Sequence, residues 1–178
     1  MARTLMLLRH GKSDWSKPVS DRDRPLAKRG RRQAPASGEW LAAQGIIPNL
    51  VIVSPATRAQ QTWERVADSL RDASTAEMRV QTEEWAYTFA GSDLMALLES
   101  VPDPVHTVML VGHNPAFEEL AQSLTGEFVR IKTSGIAIID FPAVGFIPGS
   151  GTLRYAGRPA DPNHEDGWNP AITREQLP

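Results

Sequence analysis

The strongest constraint on this chain is a pattern that occurs three times: a short, unbroken apolar run that stops at a polar cluster. Leu5 to Leu8 ends in Arg9-His10-Gly11, Leu50 to Val53 in Ser54-Pro55, and Val108 to Val111 in Gly112-His113-Asn114-Pro115. Apolar runs this short, with no polar alternation, fit strands that are covered on both faces. Helical stripes follow. Ala56, Ala59, Trp63, Val66, Ala67 and Leu70 recur at steps of three and four, as do Leu94, Leu97, Leu98 and Val101, and again Phe117, Leu120, Ala121 and Leu124. Strands alternating with helices predict a three-layer α/β/α sandwich around a mostly parallel sheet. Ile136 to Phe141 and Thr152 to Tyr155 read as later, more peripheral strands.

Helix punctuation is equally local. Ser54-Pro55 and Asn114-Pro115 each place a capping side chain before a proline, which predicts helix starts there. Gly45 and Gly126 stand where helix ends take a left-handed residue. Pro35 interrupts the helix drawn from Ala27 to Gln44 and predicts a kink or a later start. The 178 residues form one expected domain, with residues 158–178, rich in Pro, Asp and Asn, as a surface tail.

Composition narrows the function classes. The formal net charge is −2, so nothing global points to nucleic acid or a membrane surface. The absence of cysteine excludes disulfides, thiolate metal sites and a cysteine nucleophile. The apolar run before Arg9 is too short for a secretory leader or a membrane span, so a cytoplasmic location is expected.

In open α/β sheets ligands bind beyond the carboxyl ends of the strands. Here those ends deliver Arg9, His10 and His113, with Arg58 in the first turn of a helix. A cation at that position opposes the helix dipole, a cost that a bound anion offsets. Two guanidinium groups and two imidazoles at one spot suit a tetrahedral dianion, and phosphate fits best. A neutral imidazole is a competent nucleophile near pH 7. The expected reaction is therefore phosphoryl transfer onto His10, with Arg9 and Arg58 as bidentate clamps and a protonated His113 as a third cationic donor. No metal or cofactor is required.

With Leu8-Arg9-His10-Gly11, Ser54-Pro55-Ala56-Thr57-Arg58-Ala59-Gln60-Gln61-Thr62 and Val111-Gly112-His113-Asn114-Pro115, the chain resembles the histidine phosphatase superfamily, also called phosphoglycerate mutase-like. Asp21-Arg22-Asp23-Arg24-Pro25-Leu26 with Lys28-Arg29-Gly30 is similar to the SixA-type phosphohistidine phosphatases. The resemblance covers about residues 4 to 125 and implies a phosphoglycerate mutase-like fold, with His10 as nucleophile and Arg9, Arg58 and His113 around the phosphate. It also implies Ser13 as a phosphate ligand, although residue 12 is Lys where that branch has Glu, and Glu84 as proton donor. Asn114 is counted with the substrate-binding groups.

Between Ser54 and His106 there is room for a helix, an edge strand and another helix, but for no inserted lid. An open site and an undemanding imidazole leaving group favour phosphohistidine on a partner protein, as in bacterial signalling, over a small phosphomonoester. The rival readings are a phosphate-dependent binding module without turnover, a metal-dependent phosphoesterase using His10 and His113, and a mutase. Trp40, Trp63 and Trp85 are expected in the core, Trp15 at the pocket rim, and His106 and His164 in solvent. Arg29, Arg31 and Arg32 form a solvated helix face or a dock for an acidic partner.

Overall fold

The computed structural model describes residues 2–75, 77–142 and 145–161. Six strands and four helices follow one another as β1 (Arg3–Arg9), α1 (Lys28–Ala43), β2 (Leu50–Val53), α2 (Thr57–Ala73), β3 (Arg79–Thr82), α3 (Gly91–Glu99), β4 (Thr107–Gly112), α4 (Ala116–Thr125), β5 (Ile136–Phe141) and β6 (Thr152–Gly157). A single 3-10 turn, Glu84–Ala86, lies between β3 and α3. The strands form one sheet in the order β3-β2-β4-β1-β5-β6. Only β5 runs against the others, because β1 pairs with it antiparallel and it pairs antiparallel with β6. The mostly parallel three-layer sandwich is therefore present.

The alternation of side chains along β1 shows how the layers are built. Leu5 and Leu7 point into the core shared with Leu94, Leu98, Phe117 and Leu120, which come from α3 and α4. Met6 and Leu8 point the other way, against Trp40, Leu41, Trp63 and Val66 of α1 and α2. Each β1 residue from Leu5 to Leu8 is fully buried, as continuous apolar runs require. At about 25 cal/mol per Å² of apolar surface, each such leucine contributes roughly 1.5–3 kcal/mol.

Three expectations need correction. β5 is not peripheral: it lies beside β1 with all six residues buried, and of the two late strands only β6 lies at an edge of the sheet. Its run Ile136-Ala137-Ile138-Ile139 is as continuously apolar as those of the inner strands. Next, α1 runs from Lys28 to Ala43 between Ala27 and Gln44 as drawn and carries Pro35 inside, so the later start is excluded. The ring removes one backbone donor there, and packing of Ala34, Ser37, Gly38 and Leu41 against neighbouring elements outweighs that loss. Lastly, Ser54 and Asn114 do not start the helices they precede. α2 opens after Ala56 and α4 after Pro115, neither of which makes a side-chain capping bond, although Ser54 Oγ accepts from the Ala56 N–H at 3.3 Å.

Gly45 (φ 62°) and Gly126 (φ 76°) do take the left-handed conformation at helix ends. Trp40 and Trp63 are buried as expected, whereas Trp85 is exposed. His164 and the tail beyond Asp161 lie outside the described residues. No helix among the described residues is long and apolar enough to cross a membrane.

Candidate active site

Sheet register brings the site together. Arg9 lies beside Gly112 and Val53 beside Val111, so β1, β4 and β2 end at one level. The crossing bonds continue one residue further, with the His10 N–H donating to Gly112 O at 3.0 Å and the Ser54 N–H to Val111 O at 2.9 Å. A cavity of about 230 Å³ opens beyond these ends, walled by Arg9, His10, Ser13, Asp21, Arg24 and Arg58. Trp15, at the rim as expected, shares the mouth with Lys12, Phe89 and Thr133.

His10 is held in one orientation. Its Nδ1–H donates to Gly11 O at 2.7 Å, which leaves the Nε2 lone pair for the other side of the ring. Nε2 accepts a long bond of 3.3 Å from Arg58 Nε. Burial pushes the His10 pKa down to about 3, with the Arg58, Arg9 and Arg24 charges adding to the effect and the Gly11 bond opposing it. The ring is neutral at pH 7.

Arg58 has its guanidinium fork fixed by the protein. Nη1 donates to Asp21 O at 2.5 Å and Nη2 to Asp21 Oδ2 at 2.9 Å, while Nη2 also approaches His113 Nδ1 at 3.4 Å. The same carboxylate pairs with Arg24 and accepts the Tyr87 hydroxyl at 2.7 Å. Arg9 donates to Ile131 O at 2.9 Å through Nη1 and keeps its Nε without a partner. Thr62 joins the two halves of the site: its Oγ1 accepts from Gly11 N–H at 2.9 Å and donates to Arg58 O at 2.7 Å.

His113 behaves differently from the expectation. It is 1% exposed and does not form part of the cavity wall. Its ring sits 5.1 Å from that of His10, with Tyr87 and Phe89 at 5.4 and 5.8 Å. Because Arg58 can only donate, Nδ1 accepts and Nε2–H donates to Ser54 Oγ at 2.7 Å. Burial, with His10, Arg58 and Arg9 adding, pushes its pKa down to about 2, so the ring is neutral rather than protonated.

The other expected residues divide. Ser13 is buried and lines the cavity. Asn114 faces away, its amide nitrogen donating to Glu118 Oε1 at 2.7 Å and Ile131 O at 2.9 Å. Glu84 is exposed and outside the cavity wall, held by both terminal nitrogens of Arg22 at 2.6 and 2.8 Å, which keeps its carboxyl below the usual range. The cavity's carboxylate is Asp21 instead. Sequence reasoning missed Asp21, Arg24, Ser54 and Thr62 as site residues. Thr62 left a signal, a hydroxyl on the apolar stripe of α2. Ser54 opened a segment of the family resemblance but was read as a cap. Asp21 and Arg24 come from a loop with no periodicity. Among the described residues no three His, Asp or Glu are grouped to hold a metal.

Residues 5–106 match the model of the histidine phosphatase superfamily, branch 1. The chain belongs to that family. Members are phosphatases or mutases. An uncharacterised chloroplast protein of Arabidopsis thaliana is 32% identical over 153 residues, 79% of this chain and 67% of that protein. The protein histidine phosphatase SixA, solved with tungstate, is 26% identical with a TM-score of 0.70, covering 88% of this chain and 97% of the other. A Nakamurella multipartitia protein assigned to SixA shares the fold at TM-score 0.78 and 23% identity, covering 90% of this chain and 98% of that one. The chain is of the SixA type within the family.

Proposed function

We propose that the protein is a phosphatase that takes a phosphoryl group onto His10 Nε2, and that its substrate is a phosphohistidine side chain of a partner protein. The observation that carries this reading is the pinned, neutral His10, whose Nε2 stands beside a cavity walled by three guanidinium groups. In the first step the Nε2 lone pair forms a bond to phosphorus while the phosphorus–nitrogen bond of the substrate breaks. Its electron pair returns to the departing ring. If the substrate imidazole enters protonated at its other nitrogen, it leaves neutral, and no acid on the enzyme is needed. His10 becomes a phosphoimidazolium whose Nδ1–H stays on Gly11 O. In the second step water attacks phosphorus, the Nε2–P pair returns to the ring, and both protons of the water leave on dihydrogenphosphate, which passes one to solvent.

Charge on the equatorial oxygens is met by Arg9 and Arg58, with Ser13 at the wall and Arg24 behind Asp21. The Arg58–His10 bond is long and gives way to the incoming group. The phosphoryl dianion raises the proton affinity of His113, which lies one ring away and touches Arg58, and converts it to a cationic donor. An alkoxide leaving group would need a proton donor at the mouth. The cavity's carboxylate, Asp21, is tied to Arg58, Arg24 and Tyr87, and Glu84 is tied to Arg22. This favours a leaving group that departs unaided. Among the described residues only β3, the 3-10 turn and α3 stand between α2 and β4, with no inserted domain there to cover the mouth against a protein side chain.

The test compares kcat/KM for a phosphohistidine peptide with that for phosphoserine peptide and p-nitrophenyl phosphate. A preference of about 100-fold or more for phosphohistidine is expected, given the weaker demand on an acid. Equal or better use of the phosphomonoesters would replace this substrate with a small phosphomonoester.

A further inference from the structure

The charge of the chain is distributed unevenly. Residues 12–32 carry eight Lys and Arg against three Asp, a net of +5, while the whole chain sums to −2 and the remainder therefore carries −7. Three of these cations are engaged: Arg22 with Glu84, Arg24 with Asp21, and Arg31 with Leu26 O. Lys12, Lys28, Arg29 and Arg32 are exposed, and none is within ion-pair distance of a carboxylate among the described residues.

Lys12 lines the mouth of the site, and Lys28, Arg29 and Arg32 belong to the first turn of the helix packed against its loop. The first turn of α1 rests directly on the loop after His10: Ala27 N–H donates to Lys12 O at 2.7 Å, and a Cβ on Gly30 would lie 2.4 Å from that same oxygen. Only glycine allows this approach, which brings the turn that carries Lys28, Arg29 and Arg32 against the loop whose Lys12 lines the entrance. The placement is costly for the helix. Its first turn holds no acidic residue and no side-chain cap, so the cations oppose the helix dipole unrelieved. Folding gives no return for that arrangement; an anionic partner does.

We propose that Lys12, Lys28, Arg29 and Arg32 form a basic collar that docks an acidic surface of the phosphoprotein substrate beside its phosphohistidine. This rests on the phosphohistidine reading and adds the chemistry of the partner. A protein whose side chain reaches His10 passes Lys12 at the mouth, with the first turn of α1 behind that loop, and long-range attraction there raises the association rate.

The test uses peptides with one phosphohistidine flanked by Glu or by Gln, at about 50 and about 300 mM salt, with the wild type and an R29E/R32E variant. The Glu-flanked peptide should have about tenfold higher kcat/KM at low salt. That advantage should shrink at high salt and vanish in the variant, whose p-nitrophenyl phosphate turnover stays unchanged. Equal kcat/KM for the two peptides in the wild type would overturn the collar. Binding of the unphosphorylated Glu-flanked peptide, read by fluorescence polarisation, separates the two claims. Binding lost in the variant, with the phosphorylated form no better than p-nitrophenyl phosphate, would keep the collar and remove phosphohistidine as substrate. Loss of binding to phosphatidylserine vesicles alone would assign the collar to a membrane and overturn it.

Discussion

Replacing Thr62 by Val removes a hydroxyl and nothing else in volume, and it tests how the nucleophile is held. Thr62 is fully buried, and its Oγ1 accepts the Gly11 N–H at 2.9 Å. In Thr62→Val that N–H is left buried without an acceptor, at a cost of ~1–3 kcal/mol. The other bond matters less, because Arg58 O keeps its place in the α2 backbone ladder. For a chain of this size the loss corresponds to a fall in Tm of ~2–12 °C. Gly11 is also the residue whose carbonyl fixes the His10 tautomer. A looser Gly11 should lower kcat by about tenfold, equivalent to ~1.4 kcal/mol of transition-state stabilisation. Thr62→Ser keeps the hydroxyl and should restore kcat. The assays are differential scanning calorimetry and steady-state turnover. A Thr62→Val protein with unchanged Tm and kcat would refute the claim that this bond positions the nucleophile.

Two further outcomes follow from the same geometry. Arg58→Lys keeps the charge but loses the fork that spans Asp21, His10 and His113, so kcat/KM should fall ~10²–10³-fold, read by initial rates at saturating and limiting substrate. Stability should fall as pH drops below 6.5. Both histidines stay neutral in the folded state down to about pH 3 and about 2, while the unfolded chain protonates them near 6.5, so the unfolded state binds more protons in that window. Between pH 7.5 and 5 the loss is on the order of 2 kcal/mol per histidine. Urea denaturation of the wild type and His10→Asn should show the variant losing about half as much, and a flat wild-type profile would mean that the rings are already charged.

Much of the fold was legible because apolar runs report burial on both faces, and β1, β2 and β4 were readable for that reason. β5 was misplaced because such a run does not state its position in the sheet, and its late place in the chain suggested an edge. The cap reading of Ser54 failed for a related reason. A serine after a strand fits a helix start, but here the hydroxyl serves His113, fifty-nine residues away, and that pairing exists only after β2 and β4 align. His113 was expected to be charged from its cationic neighbourhood. Burial and those same cations make the neutral ring the stable one until an anion arrives. Asp21 and Arg24 lay in a segment noted for its resemblance, yet only the folded loop shows the carboxylate gripping Arg58.

The central claim is that His10 Nε2 carries the phosphoryl group. The direct measurement is rapid mixing with a labelled phosphohistidine-bearing protein in excess EDTA, followed by quenching and peptide mapping. The expected result is acid-labile, base-stable phosphate on His10 during turnover and none on His10→Ala. Turnover by the wild type with no label trapped on His10 under single-turnover conditions, or label on another residue, would contradict the account.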